Sequence, residues 1–173
     1  MIFTTVVLAT CIVAVVTDLT SRRIPNWLTA ALACFALASH ATAGWVSLGA
    51  SVAIMLAVTG LGLFAFKRGW LGGGDVKLLA AGAAALGWPD CIAFLVYTSF
   101  AGGIISLAVL LRQRRAWSTV RNIVGPFFAL PFGDAGNVRV AKPIMLPYAC
   151  AIACGAVFVA LAQSIAPFLR LSL

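Results

Sequence analysis

Two aspartates stand out in a chain that has only four acidic residues. Asp18 follows the first apolar run, and Asp75 follows three glycines and precedes the fourth apolar run. An acid beside hydrocarbon is costly, so it usually marks a functional or paired site. Two carboxylates that share a site can divide the roles of acid and base. The pair is therefore the candidate catalytic centre, working by general acid–base chemistry.

Each aspartate also has a purely structural interpretation. Asp18 could pair with Arg22, four residues further along the same helix. Asp75 could be the N-cap of the helix that follows it. For the two remaining acids, Asp90 and Asp134, the surrounding turn signatures predict solvated turns.

The predicted helix ends indicate which carboxyl of the pair holds a proton. Asp75 begins a helix, where free N–H groups and the positive dipole end favour the carboxylate. Asp18 lies toward the end of a helix, where free carbonyls favour the protonated form. We therefore expect Asp75 to be the ionised base and Asp18 the neutral acid.

The elements that must position these carboxyls are membrane helices. Hydrophobic residues make up 63% of the 173-residue chain and charged residues 9%, whereas a soluble domain has about 45–50% and about 25%. A soluble globule cannot bury that much apolar surface, which excludes a soluble enzyme, a disordered tail and a fibrous repeat. The length predicts a single membrane-embedded domain over residues 1–173.

Six apolar runs predict an all-α polytopic membrane protein with six transmembrane helices. The first, second and fourth runs are shorter than the roughly 20 residues that a span needs. We therefore expect the first to continue as a helix past Asp18 and the fourth to begin within protein. The runs cover residues 2–17, 27–43, 46–66, 76–88, 91–111 and 144–168.

The basic residues predict the orientation. The chain has 12 Lys and Arg residues and a formal net charge of +8, and all of them except Arg170 lie on the side of the loops after the first, third and fifth runs. The positive-inside rule then predicts an N-out/C-out topology, with a long cytoplasmic loop over residues 112–143. That loop is either a short surface helix or an irregular segment. The expected partners of the charge are anionic lipid headgroups, not nucleic acid.

The five cysteines and the single histidine do not form a metal-binding pattern. The cysteines lie in apolar runs without a CxxC pair, and we expect them to be small buried apolar residues. His40 lies toward the other end of its run from the aspartates, and we expect it at the outer membrane interface. The sequence therefore predicts neither a metal nor a cofactor.

Both aspartates lie in motifs with a defined spacing, namely Gly72-x-Gly74-Asp75-x-Lys77 and Asp18-x5-Ile24-Pro25-Asn26. Together these motifs resemble the signature of the type IV prepilin peptidases, which are intramembrane aspartyl proteases of the GxGD type. The sixth run contains Leu146-Pro147-Tyr148 and is similar to the small CpaA/TadV-like subfamily of Flp-type (tight-adherence) pilus systems. The resemblance covers about residues 10–110 and implies the six-span GxGD protease fold.

The resemblance implies an endopeptidase that cleaves the short leader of type IV (Flp-type) prepilins or pseudopilins. Cleavage would occur at the cytoplasmic face of the bacterial inner membrane, where Asp18 and Asp75 would activate a water molecule. Large members of the family carry an insertion with two CxxC pairs and also methylate the new N-terminus. This chain has neither, so no methyltransferase activity is expected.

The remaining motif residues are expected to assist. Gly72, Gly73 and Gly74 would let an extended substrate backbone approach, or pair with it as an added strand, unless they only form a tight turn. Lys77 and Asn26 would support the site. A non-enzymatic interpretation is also open, in which the chain is a membrane scaffold or a proton- or ion-translocating component of a secretion system.

Overall fold

Six helices make up the described part of the chain, which confirms the predicted all-helical class. The computed structural model describes residues 2–21, 23–112 and 148–170, except for the side chains of residues 110–112 and 166–170. In chain order the helices are α1 (Ile2–Ser21), α2 (Asn26–Ala43), α3 (Trp45–Lys67), α4 (Gly73–Leu86), α5 (Asp90–Arg112) and α6 (Tyr148–Arg170).

Most helix limits agree with the sequence. α1 continues past Asp18 to Ser21, as predicted from its short apolar run. α4 differs, because it begins at Gly73, three residues before the predicted start, and therefore includes part of the glycine-rich segment. The predicted loop over 112–143 and Asp134 lie outside the described residues, apart from the last residue of α5.

Four of these helices are long and apolar enough to cross a membrane. The qualifying segments are Ile2–Ser21, Trp45–Lys67, Asp90–Val109 and Tyr148–Ile165. α4 has 14 residues and is about 21 Å long, which is shorter than a hydrocarbon core of about 30 Å. The structure thus supports a helical membrane protein, and six crossings remain a prediction.

The short helix α4 lies at the centre of the bundle. It packs against α1, α2, α3 and α6, and Gly82 faces the ring of Phe94 from α5. Small side chains allow this close approach from every side. A helix that is apolar all round is stable only when it is buried all round. Its buried residues are Val76, Leu78, Ala80, Ala81, Gly82, Ala83, Ala84, Ala85 and Leu86.

A single residue connects α2 to α3. Gly44 has φ of 122°, a conformation that residues with a side chain rarely adopt. Its N–H donates to the carbonyl of Ala41, and its own carbonyl accepts from Leu48, so both helix ends are satisfied at this residue. This sharp connection lets two consecutive helices pack against each other and against α4.

α1 and α6 form a second close pair. Thr4 Oγ1 donates to Gln163 Oε1 at 2.5 Å, so the start of α1 lies beside the end of α6 and the two helices are antiparallel. Their buried side chains recur every three or four residues on each helix, as packed helices require. The buried residues with this spacing are Thr4, Val7, Cys11 and Ala14 on α1, and Ala149, Ile152, Ala156 and Val159 on α6; Ala151 of α6 is buried as well.

By their contacts, the described residues divide into two units, residues 2–102 with 148–170, apart from residue 22, and residues 103–112. The first unit contains every residue that the sequence analysis placed in the candidate site. The described part of the second unit is the C-terminal portion of α5.

Candidate active site

Asp75 is the third residue of α4, and its carboxyl bonds back to the residue that caps the helix. Gly72 is the N-cap, with extended backbone at φ −77° and ψ 150°, and its N–H hydrogen-bonds the carboxyl of Asp75. A carboxyl at the third helical position that reaches back to the N-cap N–H forms half of a capping box. The interpretation of Asp75 as the N-cap itself is therefore wrong by three residues.

Asp18 lies in the last turn of α1, three residues before the helix ends at Ser21. It is half-buried, as is Asp75, and the two carboxyls are close enough for the charge of Asp18 to act on Asp75. The end of α1 and the start of α4 thus bring together two acids that are 57 positions apart in the sequence.

Burial changes the proton affinity of Asp75. The pKa of this carboxyl is raised from 3.8 to about 6, because desolvation and, to a lesser extent, the negative charge of Asp18 raise it more than the hydrogen bond from Gly72 lowers it. The positive end of the helix dipole, taken alone, favours the anion. The loss of water around the carboxyl outweighs that effect, so the shift is opposite in direction to the one expected from the sequence.

The three glycines do not form an extended segment. Gly73 and Gly74 belong to the first turn of α4, and only Gly72 is extended. A Cβ on Gly74 would lie 3.1 Å from Cβ of Ile24, and one on Gly72 would lie 2.6 Å from Oδ2 of Asp75. Only Gly72 therefore has strand-like backbone, and the role of the three glycines in substrate binding stays a prediction. Their small size permits close packing around Asp75.

Lys77 and Asn26 are in direct contact. Nζ of Lys77 donates to Oδ1 of Asn26 at 2.9 Å at an exposed position. This bond joins the first turn of α2 to the first turns of α4, beside the helix start that carries Asp75. Pro25 is the N-cap of α2, with φ −63° and ψ 133°.

The start of α6 contributes two residues that the sequence analysis did not place in the site. Tyr148 lies within electrostatic range of Asp75, and Cys150 lies within range of Asp18. Both side chains are half-buried. They follow Asp18 by about 130 positions, and no spacing rule connects them to it. Only the packing of α6 against α1 and α4 reveals their position.

The other predicted polar residues lie at the opposite end of the bundle. Asp90 is the first residue of α5 and is half-buried, and it accepts a hydrogen bond of 2.6 Å from Gln163, which in turn accepts one from Thr4. The prediction of a solvated turn at Asp90 is therefore wrong, because a partner from α6 satisfies it.

His40 is also held by protein groups at that end. Its Nδ1 lies 2.8 Å from Oγ of Ser47, and its ring stacks on Phe3 with centroids 5.4 Å apart. The cysteine prediction holds for Cys11 and Cys91, which are buried, and fails for Cys34 and Cys154, which are exposed on the bundle surface. In a membrane such apolar side chains can face lipid at little cost.

The described residues around the two aspartates do not form a metal-binding cluster. Within the described ranges, no group of three His, Cys, Asp or Glu side chains could hold a metal ion. The site itself consists of two interacting carboxyls, and the pKa of one of them, Asp75, is raised to about 6.

Comparison with known proteins agrees with this arrangement. The model of the type IV leader peptidase family matches residues 5–107, a range that contains both aspartates, the three glycines, Lys77 and Asn26. No curated protein and no solved structure matches the chain. Tyr148 and the rest of α6 lie beyond the matched residues.

Proposed function

The chain belongs to the type IV leader peptidase family, and on that premise we propose that it is an aspartic endopeptidase whose catalytic pair is Asp18 and Asp75. The observation that carries the proposal is the meeting of these two half-buried carboxyls at one end of the bundle, where the charge of one raises the pKa of the other. Interacting carboxyls of this kind can divide the roles of acid and base.

The raised pKa of Asp75 suggests the roles in peptide hydrolysis. In its protonated form, Asp75 hydrogen-bonds the scissile carbonyl oxygen. Asp18 takes a proton from water as the water oxygen bonds to the carbonyl carbon. The C–N bond then breaks, and the leaving amine receives a proton from the pair. This mechanism needs no covalent enzyme intermediate.

The proposed substrates are type IV prepilins or pseudopilins, of the Flp type by the resemblance of the last helix. Their scissile bond would lie at the cytoplasmic face of the bacterial inner membrane, with six crossings and an N-out/C-out topology. The excess of basic residues would bind anionic lipid headgroups. Gly72, Lys77 and Asn26 would shape the site around Asp75, and Gly73 and Gly74 would provide its close packing.

Substitution of each aspartate tests the proposal. Asp18→Asn and Asp75→Asn should each reduce leader cleavage at least about 100-fold, because Asn preserves size and polarity but cannot exchange the proton. The assay is N-terminal sequencing of a co-expressed prepilin, with accumulation of the variant in the membrane measured in parallel.

Asp134→Asn and Asp90→Asn are the matched controls. Both remove a carboxylate elsewhere in the chain and should leave cleavage near normal. Near-normal turnover in either Asp18→Asn or Asp75→Asn would contradict the catalytic pair. A purified protein that cleaves no leader, but moves protons in vesicles in an Asp75-dependent way, would favour the translocating alternative.

A further inference from the structure

α3 contacts α4 near both ends of the shorter helix. Toward the C-terminal end of α4, Oγ of Ser51 donates a hydrogen bond of 3.1 Å to the carbonyl of Ala84. Toward the start of α4, Gly62 of α3 faces the side chain of Val76. The later residue of α3 meets the earlier residue of α4, so the two helices are antiparallel. Their contact thus extends to the turn that carries Asp75.

The approach of the two helices is closest to the limit at Gly62. A Cβ on Gly62 would lie 2.5 Å from Cγ1 of Val76, 3.1 Å from Cγ2 and 3.2 Å from Cβ. Carbon atoms in ordinary contact are about 3.5–4.0 Å apart. The side chain of Val76 therefore occupies the space that a side chain at Gly62 would need.

Val76 has little freedom to turn away from α3. Its side chain is 3% exposed, and a β-branched side chain in a helix has one strongly preferred rotamer. Rotation would also leave its Cβ in place, 3.2 Å from the added atom. A methyl group at Gly62 must therefore displace the backbone at the start of α4, by about 1 Å if normal contact distances are to be restored.

The turn that would move is the one that carries Asp75. Apolar side chains also pack against the two residues before it. A Cβ on Gly73 would lie 3.6 Å from the ring of Phe66, and one on Gly74 would lie 3.1 Å from Cβ of Ile24. The backbone position of Asp75 is thus set by close packing on the residues to either side of it.

We propose that Gly62 is a positioning residue for the catalytic pair: its lack of a side chain lets the start of α4 approach α3 and so sets where the carboxyl of Asp75 lies relative to Asp18. The inference rests on the proposed function and adds a residue that is outside both sequence motifs. The other two glycines of α3, Gly49 and Gly60, have nothing within 4 Å of an added Cβ.

Gly62→Ala is the test, in cleavage of a prepilin by the purified enzyme in lipid vesicles. We expect kcat to fall about 10-fold or more while KM changes little, because a displacement of about 1 Å at a reacting group can have that effect. Desolvation is the largest cause of the raised pKa of Asp75, and separating α4 from α3 admits water, so this pKa should fall. The decline of kcat/KM through about pH 6 should then move to lower pH by at least about 0.3 unit.

Gly60→Ala is the matched control, with the same added methyl group two positions earlier on α3 and open space around it. Its kcat and pH profile should be those of the unmodified enzyme. Val76→Ala provides a second comparison, because it removes the two methyl groups that a Cβ on Gly62 would meet. In the background of Val76→Ala, the change Gly62→Ala should lower kcat by less than about 3-fold.

The inference is overturned if Gly62→Ala retains the kcat of Gly60→Ala. A lower kcat with an unmoved pH profile, or an equal loss in both backgrounds, also overturns it, because either result would indicate a general packing defect.

If Gly62→Ala does not accumulate in the membrane, two valine variants decide the question. Val76→Ala removes the packing between α3 and the start of α4, whereas Val58→Ala removes the same two methyl groups from a buried residue one turn before Gly62. Val76→Ala should then lower kcat and move the pH profile, and Val58→Ala should lower the melting temperature alone. Equal kinetic effects of the two variants would overturn the inference.

Asp75→Asn in the same assay separates the two proposals. If this variant is inactive and Gly62→Ala behaves like the unmodified enzyme, only the role of Gly62 fails. If Asp75→Asn is active, the proposed function itself fails.

Discussion

At Asp75 two physical effects act on the proton in opposite directions. The start of α4 provides free N–H groups, and the one from Gly72 stabilises the anion. Burial and the neighbouring charge of Asp18 oppose ionisation, and the balance of all three effects is a pKa of about 6. A carboxyl with this affinity can hold a proton at a pH where an ordinary aspartate is almost fully ionised.

The pH dependence of cleavage should show which role Asp75 has. If its protonated form is the active one, kcat/KM of the free enzyme should be high below pH 6 and fall as the pH rises through about 6. The measurement is kcat/KM for prepilin cleavage from pH 4.5 to pH 9. A rise through pH 6 would instead assign Asp75 as the base, as expected from the helix ends.

The lack of a side chain at Gly72 leaves room for the carboxyl of Asp75. A Cβ there would lie 2.6 Å from Oδ2 of Asp75, so Gly72→Ala must displace the carboxyl. We expect cleavage to fall about 10- to 100-fold, because a displacement of about 1 Å at a reacting group can have that effect. The loss should appear in single-turnover cleavage, with little change in melting temperature.

Gly60→Ala is its control. A Cβ at Gly60 would meet nothing within 4 Å, so this variant should cleave normally. Equal activity of the two variants would show that the carboxyl tolerates the methyl group.

At the scale of the elements, α5 and α6 approach each other through a glycine. Gly155 of α6 faces Thr98 of α5 so closely that a Cβ would clash with the threonine hydroxyl, and it would lie 3.0 Å from the backbone N of Thr98 and 3.1 Å from the carbonyl of Phe94. Backbone atoms cannot move aside as a flexible side chain can. The hydroxyl of Thr98 is buried and has no hydrogen-bond partner among the described residues.

Gly155→Ala should therefore force these two helices apart. We expect a loss of about 1–3 kcal/mol, the usual cost of overpacking, measured as a lower melting temperature in detergent. Gly49→Ala provides the comparison, because a Cβ there meets nothing within 4 Å and alanine is the better helix former. Similar melting temperatures for both variants would contradict the close packing of α5 and α6.

At the scale of the whole molecule, the acidic residues that the structure describes lie at the two ends of the apolar helices. The end with Asp18 and Asp75 also carries Lys77, bonded to Asn26. The opposite end carries Asp90, bonded to Gln163. Such a distribution suits a bilayer, because a polar group in hydrocarbon is costly unless it has a partner.

The proposed orientation can be measured directly. The distribution of basic residues predicts that both termini are outside the cell and that the loop over 112–143 is cytoplasmic. A reporter fused after Leu173 should therefore report the outer side, and one inserted near Gly136 the cytoplasm. The reverse result would place both aspartates on the face opposite to the proposed cleavage site.

The sequence alone determined the helices and the candidate pair. Long apolar runs must form helices in a membrane, because every backbone group needs an internal partner there, so the helix limits were predictable to within a few residues. The rarity of acids and their position at run ends singled out Asp18 and Asp75. The GxGDxK spacing pointed to the family that the comparison then confirmed.

Tertiary packing decided the rest. Apolar runs look alike, so their pattern does not say that α4 is surrounded by the others or that Tyr148 lies within electrostatic range of an acid 73 positions earlier. Asp90 has its partner Gln163 only because α6 returns beside α1 and α5. The pKa of Asp75 depends on how much water the surrounding helices exclude, and a dipole argument from one helix cannot supply that quantity.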